Sequence, residues 1–322
     1  MRKQKEICTV YAPATVSNVA VGFDILGFAI EGFGDTIKVK RIQGCEVRIT
    51  HITGLPDTIP VEATRNTAGM ALLALRGTLN LPYGFELEIK KGIPLGSGIG
   101  GSAASAVGAV VAANRLLDKP LDPETLFSFA LKGEQVASGA IHGDNIAPCL
   151  YGGMTLIRNV NPPDIVKFPI LTDLRVVLIH PRMQINTKEA RQILRPDVPL
   201  KSFVHQTANL AGFVAGLFSG DLELIGRSLE DVVIEPQRAV LIPGFSEVKK
   251  SAKNAGALGC SISGSGPSMF AFCKNENDAL AVQEAMITSF QKHSMVCDTW
   301  TGPISSRGAR ILDDDELEKP SI

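Results

Sequence analysis

The 322-residue chain has no two cysteines spaced as a metal-binding or redox pair. Cys8, Cys45, Cys149, Cys260, Cys273 and Cys297 lie far apart. That spacing excludes a zinc ribbon or a disulfide scaffold and reads as small buried hydrophobes in a reducing compartment. An excess of charge of one sign is also lacking. Lys and Arg number 32 against 33 Asp and Glu, a net charge of −1, so nothing electrostatic calls for nucleic acid or an anionic membrane. No apolar run reaches the ~18 residues of a membrane helix. The polar start, Met1-Arg2-Lys3-Gln4-Lys5-Glu6, is not a signal peptide. There is no internal repeat and no low-complexity linker. These absences predict a soluble cytoplasmic protein. Its 45% hydrophobic and 20% charged residues suit an ordinary packed core, and its length suggests roughly two domains.

Glycine, by contrast, is concentrated in one place. Gly96-Ser97-Gly98-Ile99-Gly100-Gly101-Ser102-Ala103-Ala104-Ser105 lies between a strand-like run, 85–89, and a small-residue apolar run, 103–117. Glycine admits backbone angles that other residues resist and lets a ligand reach the amides. The helix that follows points its free N–H groups and positive dipole end at the loop, an arrangement that holds phosphate. A plain tight turn is the competing reading. Gly96, Gly98 and Gly101 satisfy GxGxxG, but a dinucleotide site needs a second strand ending in an acidic residue about 20 residues on. Residues 107–117 read as helix, and Lys119-Pro120 follows Asp118. No Gly-Lys-Ser/Thr follows the glycines, so a Walker loop fails too.

Strands are predicted over residues 7–11, 36–41, 46–51 and 85–89, and a helix over 67–79. Asp122 with Pro123 opens a further helix to about Gly139. The prolines within 159–163 mark the domain boundary. Beyond it, strands at 174–180, 260–263, 268–273 and 295–300 mix with helices at 187–194, 201–219, 222–232, 246–255 and 277–292. Strands and helices without strict alternation predict an α+β fold. Asp313-Asp314-Asp315-Glu316 opens a charged tail, expected to be disordered.

Among residues that can carry chemistry, Glu134 shares a helix face with Phe127, Ala130 and Ala137. A carboxylate on a buried face needs a cation or several donors, and beside a phosphate loop Mg²⁺ is the natural partner. The alternative is a stripe-edge position reaching water. Asn18 and Asp24 flank a loop of small residues, where they either grip an amino or hydroxyl group or serve the turn itself. His142, Asp144 and Asn145 follow the Glu134 helix. Arg191 and Arg238 read singly as surface charges and together as a carboxylate clamp. Asn66 reads most simply as a helix N-cap. Ser263-Gly264-Ser265-Gly266-Pro267 is a second glycine turn, either a strand connection or half of a closed site.

Three of these segments, in order, resemble the motifs of the GHMP kinases, a family that transfers the ATP γ-phosphoryl group to small hydroxyl-bearing metabolites. They are Pro13 to Asp24, Pro94 to Ser105, and Gly256 to Pro267. The resemblance spans about residues 5–312 and implies an α+β two-domain fold. An N-terminal, ATP-binding domain of the ribosomal protein S5 domain 2-like type covers 1–160, and a ferredoxin-like C-terminal domain covers 161–312, before the tail 313–322. His142-Gly143-Asp144-Asn145, Thr187-Lys188-Glu189-Ala190-Arg191 and Glu235-Pro236-Gln237-Arg238 resemble the branch whose acceptor is L-homoserine. By that resemblance Asn18, Asp24, His142, Asn145, Thr187, Arg191 and Arg238 surround the acceptor. The arginines take its carboxylate and Asp24 its amino group. ATP lies against Asn66 and the loop Pro94, Leu95, Gly96, Ser97, Gly98, Ile99, Gly100, Gly101, Ser102, Ala103 and Ala104. Ser102 and Glu134 hold Mg²⁺ and, with Asn145, are the catalytic assignments. Asn145 stands where relatives of the galactokinase type carry an aspartate, so no strong protein base is expected. The resemblance admits a homodimer and implies neither nucleic acid nor membrane as partner. Gly101 replaces the usual first serine of the loop, expected to loosen one phosphate contact. Val19-Ala20 replaces the usual Leu-Gly, which alters packing beside the pocket.

Overall fold

A computed structural model describes residues 6–55, 59–138 and 142–313. Its elements in chain order begin with β1 (Ile7–Ser17), β2 (Leu26–Ile42), β3 (Val47–Thr53), α1 (Thr67–Thr78) and β4 (Gly84–Lys90). Next come α2 (Gly101–Arg115), α3 (Pro123–Ser138), α4 (Ile146–Tyr151), β5 (Met154–Val160) and β6 (Pro163–Lys167). β7 (Arg175–Pro181), α5 (Thr187–Gln192), α6 (Leu200–Ser219), α7 (Leu222–Ser228), α8 (Glu235–Arg238) and α9 (Phe245–Asn254) follow. The chain closes with β8 (Gly259–Ile262), β9 (Met269–Cys273), α10 (Glu276–Gln291), β10 (Cys297–Pro303) and β11 (Arg310–Ile311). The expected helix end at Gly139, the first five residues and the tail from Asp314 lie outside the described residues.

Two sheets organise the α+β fold. The first has seven strands, with the path β11-β1-β2-β4-β3, β5 pairing with β2 and β6 with β5. The second is the antiparallel order β10-β7-β9-β8. Helix α2 packs on β1 and β2 and against α1 and α3. Ala103, Ala104, Ala106, Ala109, Ala112 and Ala113 are fully buried. Such small side chains let a helix lie close to its neighbours. The sheets share a core: the Phe28 ring of β2 lies 5.8 Å from Phe270 and 5.4 Å from Phe272 of β9. All six cysteines are reduced and four are buried, and no described helix is long and apolar enough to cross a membrane.

The structure corrects three expectations. β1 runs on through the first half of the supposed loop to Ser17, and β2 starts ten residues before Thr36, at Leu26. Gly27, Gly32 and Gly34 hide that strand from propensity reading, because glycine carries no strand signal. Residues 159–163 do not separate the sheets. They join β5 to β6 as a hairpin within the first sheet, whose pairing extends to Lys167. The C-terminal strand also returns to the first sheet, with Val10 opposite Ile311, so a clean division at 160 is replaced by a chain that re-enters its first unit.

Candidate active site

The three motif segments meet around one cavity of about 380 Å³. β1 delivers the first. Beyond Ser17 the chain makes a run of left-handed turns, with φ +67° at Asn18, +43° at Val19, +58° at Ala20 and +63° at Asp24. A left-handed non-glycine residue costs roughly 1–2 kcal/mol, so Ala20 holds with strain a geometry that glycine adopts freely. The turn is fixed by Asn18, whose Oδ1 accepts from the Asp24 N–H at 3.0 Å and whose Nδ2 donates to the Gly264 carbonyl at 2.8 Å. Asn18 thus serves the turn, as one sequence reading expected, and also lines the cavity.

The glycine loop supplies the floor. Gly100, at φ +75°, is the N-cap of α2 and offers no side-chain cap. A Cβ there would sit 2.0 Å from Thr15 Oγ1 and 2.9 Å from Asn145 Oδ1, so glycine preserves the Thr15–Asn145 contact. Pro94, Leu95, Gly96, Ser97, Gly98, Gly100, Gly101 and Ser102 line the cavity. Ile99, Ala103 and Ala104 do not. Their side chains belong to the core, so their part in the expected ATP site is confined to their backbone amides.

Ser102 Oγ donates to Glu134 Oε1 at 2.9 Å. Phe127 and Ala130, which share Glu134's helix face, are fully buried, and Glu134 Oε2 is itself buried. Burial raises the Glu134 pKa to about 7, against the opposing pull of the Ser102 hydroxyl, and Asp144 adds to the rise. Asn66 caps α1, accepting from the Ala68 and Gly69 N–H groups at 3.0 and 3.3 Å, and lies on the same cavity wall.

At the other end, Arg191 Nη2 reaches both oxygens of Asp24, at 2.6 and 2.8 Å. Arg238 is 3% exposed and donates to the carbonyls of Ala190 at 3.2 Å and Gly264 at 3.0 Å. Both guanidinium carbons lie 5.1 Å from the Phe23 ring centre. The arginines do meet, therefore, but Asp24 is the partner of one of them here rather than a separate group. Thr187 Oγ1 lies 3.4 Å from Ser265 Oγ. His142 Nδ1 lies 3.5 Å from Asp24. Burial holds the His142 pKa below its usual value although Asp24 opposes it, which favours the neutral ring. Asn145 accepts from Thr15 Oγ1 at 2.8 Å and donates to Ser17 Oγ at 3.0 Å. One amide N–H and one lone pair remain for a ligand.

Two site residues received no role from the sequence: Asp144, named there only as a neighbour of Asn145, and Lys91, not singled out at all. Asp144 is 4% exposed, and burial followed by the nearby Asp24 raises its pKa to about 7, against a hydrogen bond from Ser17. Its position beside Asn145 was the available signal. Lys91 is the other. Phe85, Leu87 and Ile89 of β4 point inward, and the strand period of two places Lys91 on the same face. Its ammonium pairs with Asp35 and donates to Gly101 O at 2.7 Å and Ser105 Oγ at 3.0 Å. Asp35 in turn accepts from the Gly92 and Ile93 N–H groups. A Cβ on Gly101 would stand 3.1 Å from Ile93 Cγ2 and 3.5 Å from Lys91 Nζ, so glycine there leaves this group room. Lys91→Met strands a buried carboxylate and should lower the unfolding free energy by about 3–5 kcal/mol. Urea denaturation reads this, and Lys91→Met with Asp35→Asn should recover much of the loss. An unchanged midpoint in the single variant would show that the ammonium does not matter.

Known proteins resemble this chain in sequence and fold. Residues 66–153 match the family model described as GHMP kinases N terminal domain, and residues 213–292 match GHMP kinases C terminal. A homoserine kinase of Xanthomonas campestris pv. campestris is 47% identical over 302 residues, covering 94% of this chain and 93% of that one. A homoserine kinase of Chlorobium phaeovibrioides is 46% identical over 314 residues, covering 94% and 98%. The crystal structure of homoserine kinase from Cytophaga hutchinsonii superposes with a TM-score of 0.93 at 44% identity, covering 97% of this chain and 99% of that one.

Proposed function

The chain belongs to the GHMP kinase family, and we propose that it is an ATP-dependent homoserine kinase, forming O-phospho-L-homoserine for threonine biosynthesis. One observation carries the acceptor: Arg191, Arg238, Asp24 and Asp144 line one end of a single cavity. Two cations set against two carboxylates suit a zwitterion, whose carboxylate and ammonium each need a partner. A neutral sugar or a simple hydroxy acid needs only part of that set.

Phosphoryl transfer depends on in-line positioning and on neutralising phosphate charge more than on covalent help. The loop amides and the N-terminal end of α2 supply donors for the nucleotide phosphates. Ser102 and Glu134 present oxygen donors of the kind Mg²⁺ takes, since that ion binds through one or two carboxylates plus phosphate oxygens and water. Among the described residues no cluster of three or more His, Cys, Asp or Glu forms a metal cage of its own, so a cation there would be held jointly with the phosphates. Bound in that place, it would neutralise charge on the transferring group. Arg238 and Arg191 hold the acceptor carboxylate, Asp24 and Asp144 its ammonium, and Asn145 orients the hydroxyl with its remaining amide N–H or lone pair. The amide cannot take a proton, so the hydroxyl proton leaves to phosphate or water.

The direct test is ADP release with homoserine, mevalonate, galactose and shikimate as rival acceptors. Homoserine should give the highest kcat/KM, and a preference for any other would remove the acceptor reading. Asn145→Ala should lower turnover by roughly 10- to 100-fold with ADP affinity unchanged by calorimetry. Asn145→Asp should bring no gain, because a carboxylate there adds negative charge beside Asp144 and the transferring phosphoryl group. A rate increase in Asn145→Asp would show that the wild-type reaction is limited by want of a base.

A further inference from the structure

The second glycine turn is locked into the first. Ser263 Oγ donates to the Gly98 carbonyl at 2.7 Å, and the Ser268 N–H donates to the Ser97 carbonyl at 3.2 Å. The Ile99 carbonyl accepts from the Thr15 N–H, also at 3.2 Å. Three consecutive carbonyls of the glycine loop are therefore tied to other parts of the chain. A trans peptide is planar, with its N–H directed opposite to its C=O. Tying the carbonyls of Ser97, Gly98 and Ile99 turns the N–H groups of Gly98, Ile99 and Gly100 away from those anchors. The fit is tight. Gly98 has φ +78°, and a Cβ on it would lie 2.5 Å from the Ser263 carbonyl and 2.7 Å from that of Gly266.

Of the three anchors, only Ser263 acts through a side chain. It is fully buried, it is not part of the cavity lining, and its hydroxyl is spent on the loop. We propose that Ser263 is a positioning residue for phosphate binding: by holding the Gly98 carbonyl it sets the Ile99 amide, and with it the row of loop donors, before the nucleotide arrives. Without the hydroxyl the Gly98 carbonyl loses that donor, and the peptide unit is free to turn over. The phosphates lose their preset donors, while the adenine end, near Asn66, is untouched.

The inference rests on the loop being the nucleotide phosphate site. Calorimetry with ADP and with adenosine separates the possibilities. In Ser263→Ala the ADP Kd should rise roughly tenfold or more, adenosine affinity should stay within about twofold, and Ser263→Thr, which keeps the hydroxyl, should restore much of the ADP affinity. Ser263→Cys, a weak donor of similar volume, gives the same comparison if the alanine variant does not fold. A folded variant that binds ADP like wild type would overturn the proposal. So would equal losses for ADP and adenosine, which mark general loosening rather than loss of aimed amides. Wild-type protein that binds no ADP would overturn the nucleotide reading itself, and the proposal with it.

Discussion

Glu134→Gln should give a folded protein that turns over at least ~100-fold more slowly than wild type and yet resists heat better without ligand. Both effects follow from one buried carboxylate. Burial lifts its pKa from the ordinary 4.5 to about 7, so the folded chain keeps the proton that the unfolded chain has already released. The stability this group contributes is full below the unfolded value and is lost as pH rises through the folded one. At about pH 8 an ionised Glu134 therefore strains the ligand-free protein, and glutamine relieves that strain. A rise in the unfolding midpoint of roughly 2–5 °C is expected. Turnover by the proposed reaction has the opposite requirement, because Glu134 would hold Mg²⁺ only as the ionised carboxylate. Wild-type activity should thus fall as pH drops below about 7, and higher Mg²⁺ should move that limb to lower pH, since the cation favours the ionised form. Melting curves at several pH values, with rates over a Mg²⁺ series, test both halves. Near-normal turnover of the glutamine variant would remove Glu134 from the metal site.

Arg238→Ala should weaken homoserine binding by about 2–4 kcal/mol, on the order of 30- to 1000-fold in Kd, with ATP affinity almost unchanged. Arg238 is the buried cation of the pair, with burial and Arg191 both pulling its pKa down. Its removal takes away a desolvated charge that water cannot replace. Arg191→Ala should do less. Its side chain is 36% exposed, and the loss also frees Asp24 to bind the substrate ammonium. Calorimetry with homoserine and with ADP on both variants reads the difference. Equal, small effects on homoserine would mean that the carboxylate sits elsewhere.

Much of the site was legible in the sequence because its chemistry is local. The glycine loop needs residues without side chains in one short run, and Gly96 to Ser105 shows that directly. The cap at Asn66 and the helix from Pro123 are likewise set by neighbours in sequence. Lys91 could have been found by strand alternation, but a lysine beside Lys90 reads as a solvated pair until the partner Asp35 is seen. Arg191 and Asp24 are 167 residues apart, and no spacing rule brings them together.

The sequence by itself determined the order of the elements in outline, the glycine loop, the balance of charge and the kinship carried by three ordered motifs. All of these follow from backbone preference and side-chain type over a few residues. Only the tertiary structure decided where the first sheet ends, because pairing of β5 with β6 and the return of β11 depend on strands far along the chain. It alone decided that Ile99, Ala103 and Ala104 face the core while Asp144 faces the cavity. It alone decided that the Ser263 turn fills the space above Gly98. Which way a side chain faces, and what it meets, depends on packing between distant segments, and that packing is fixed only when the sheets close on their shared core.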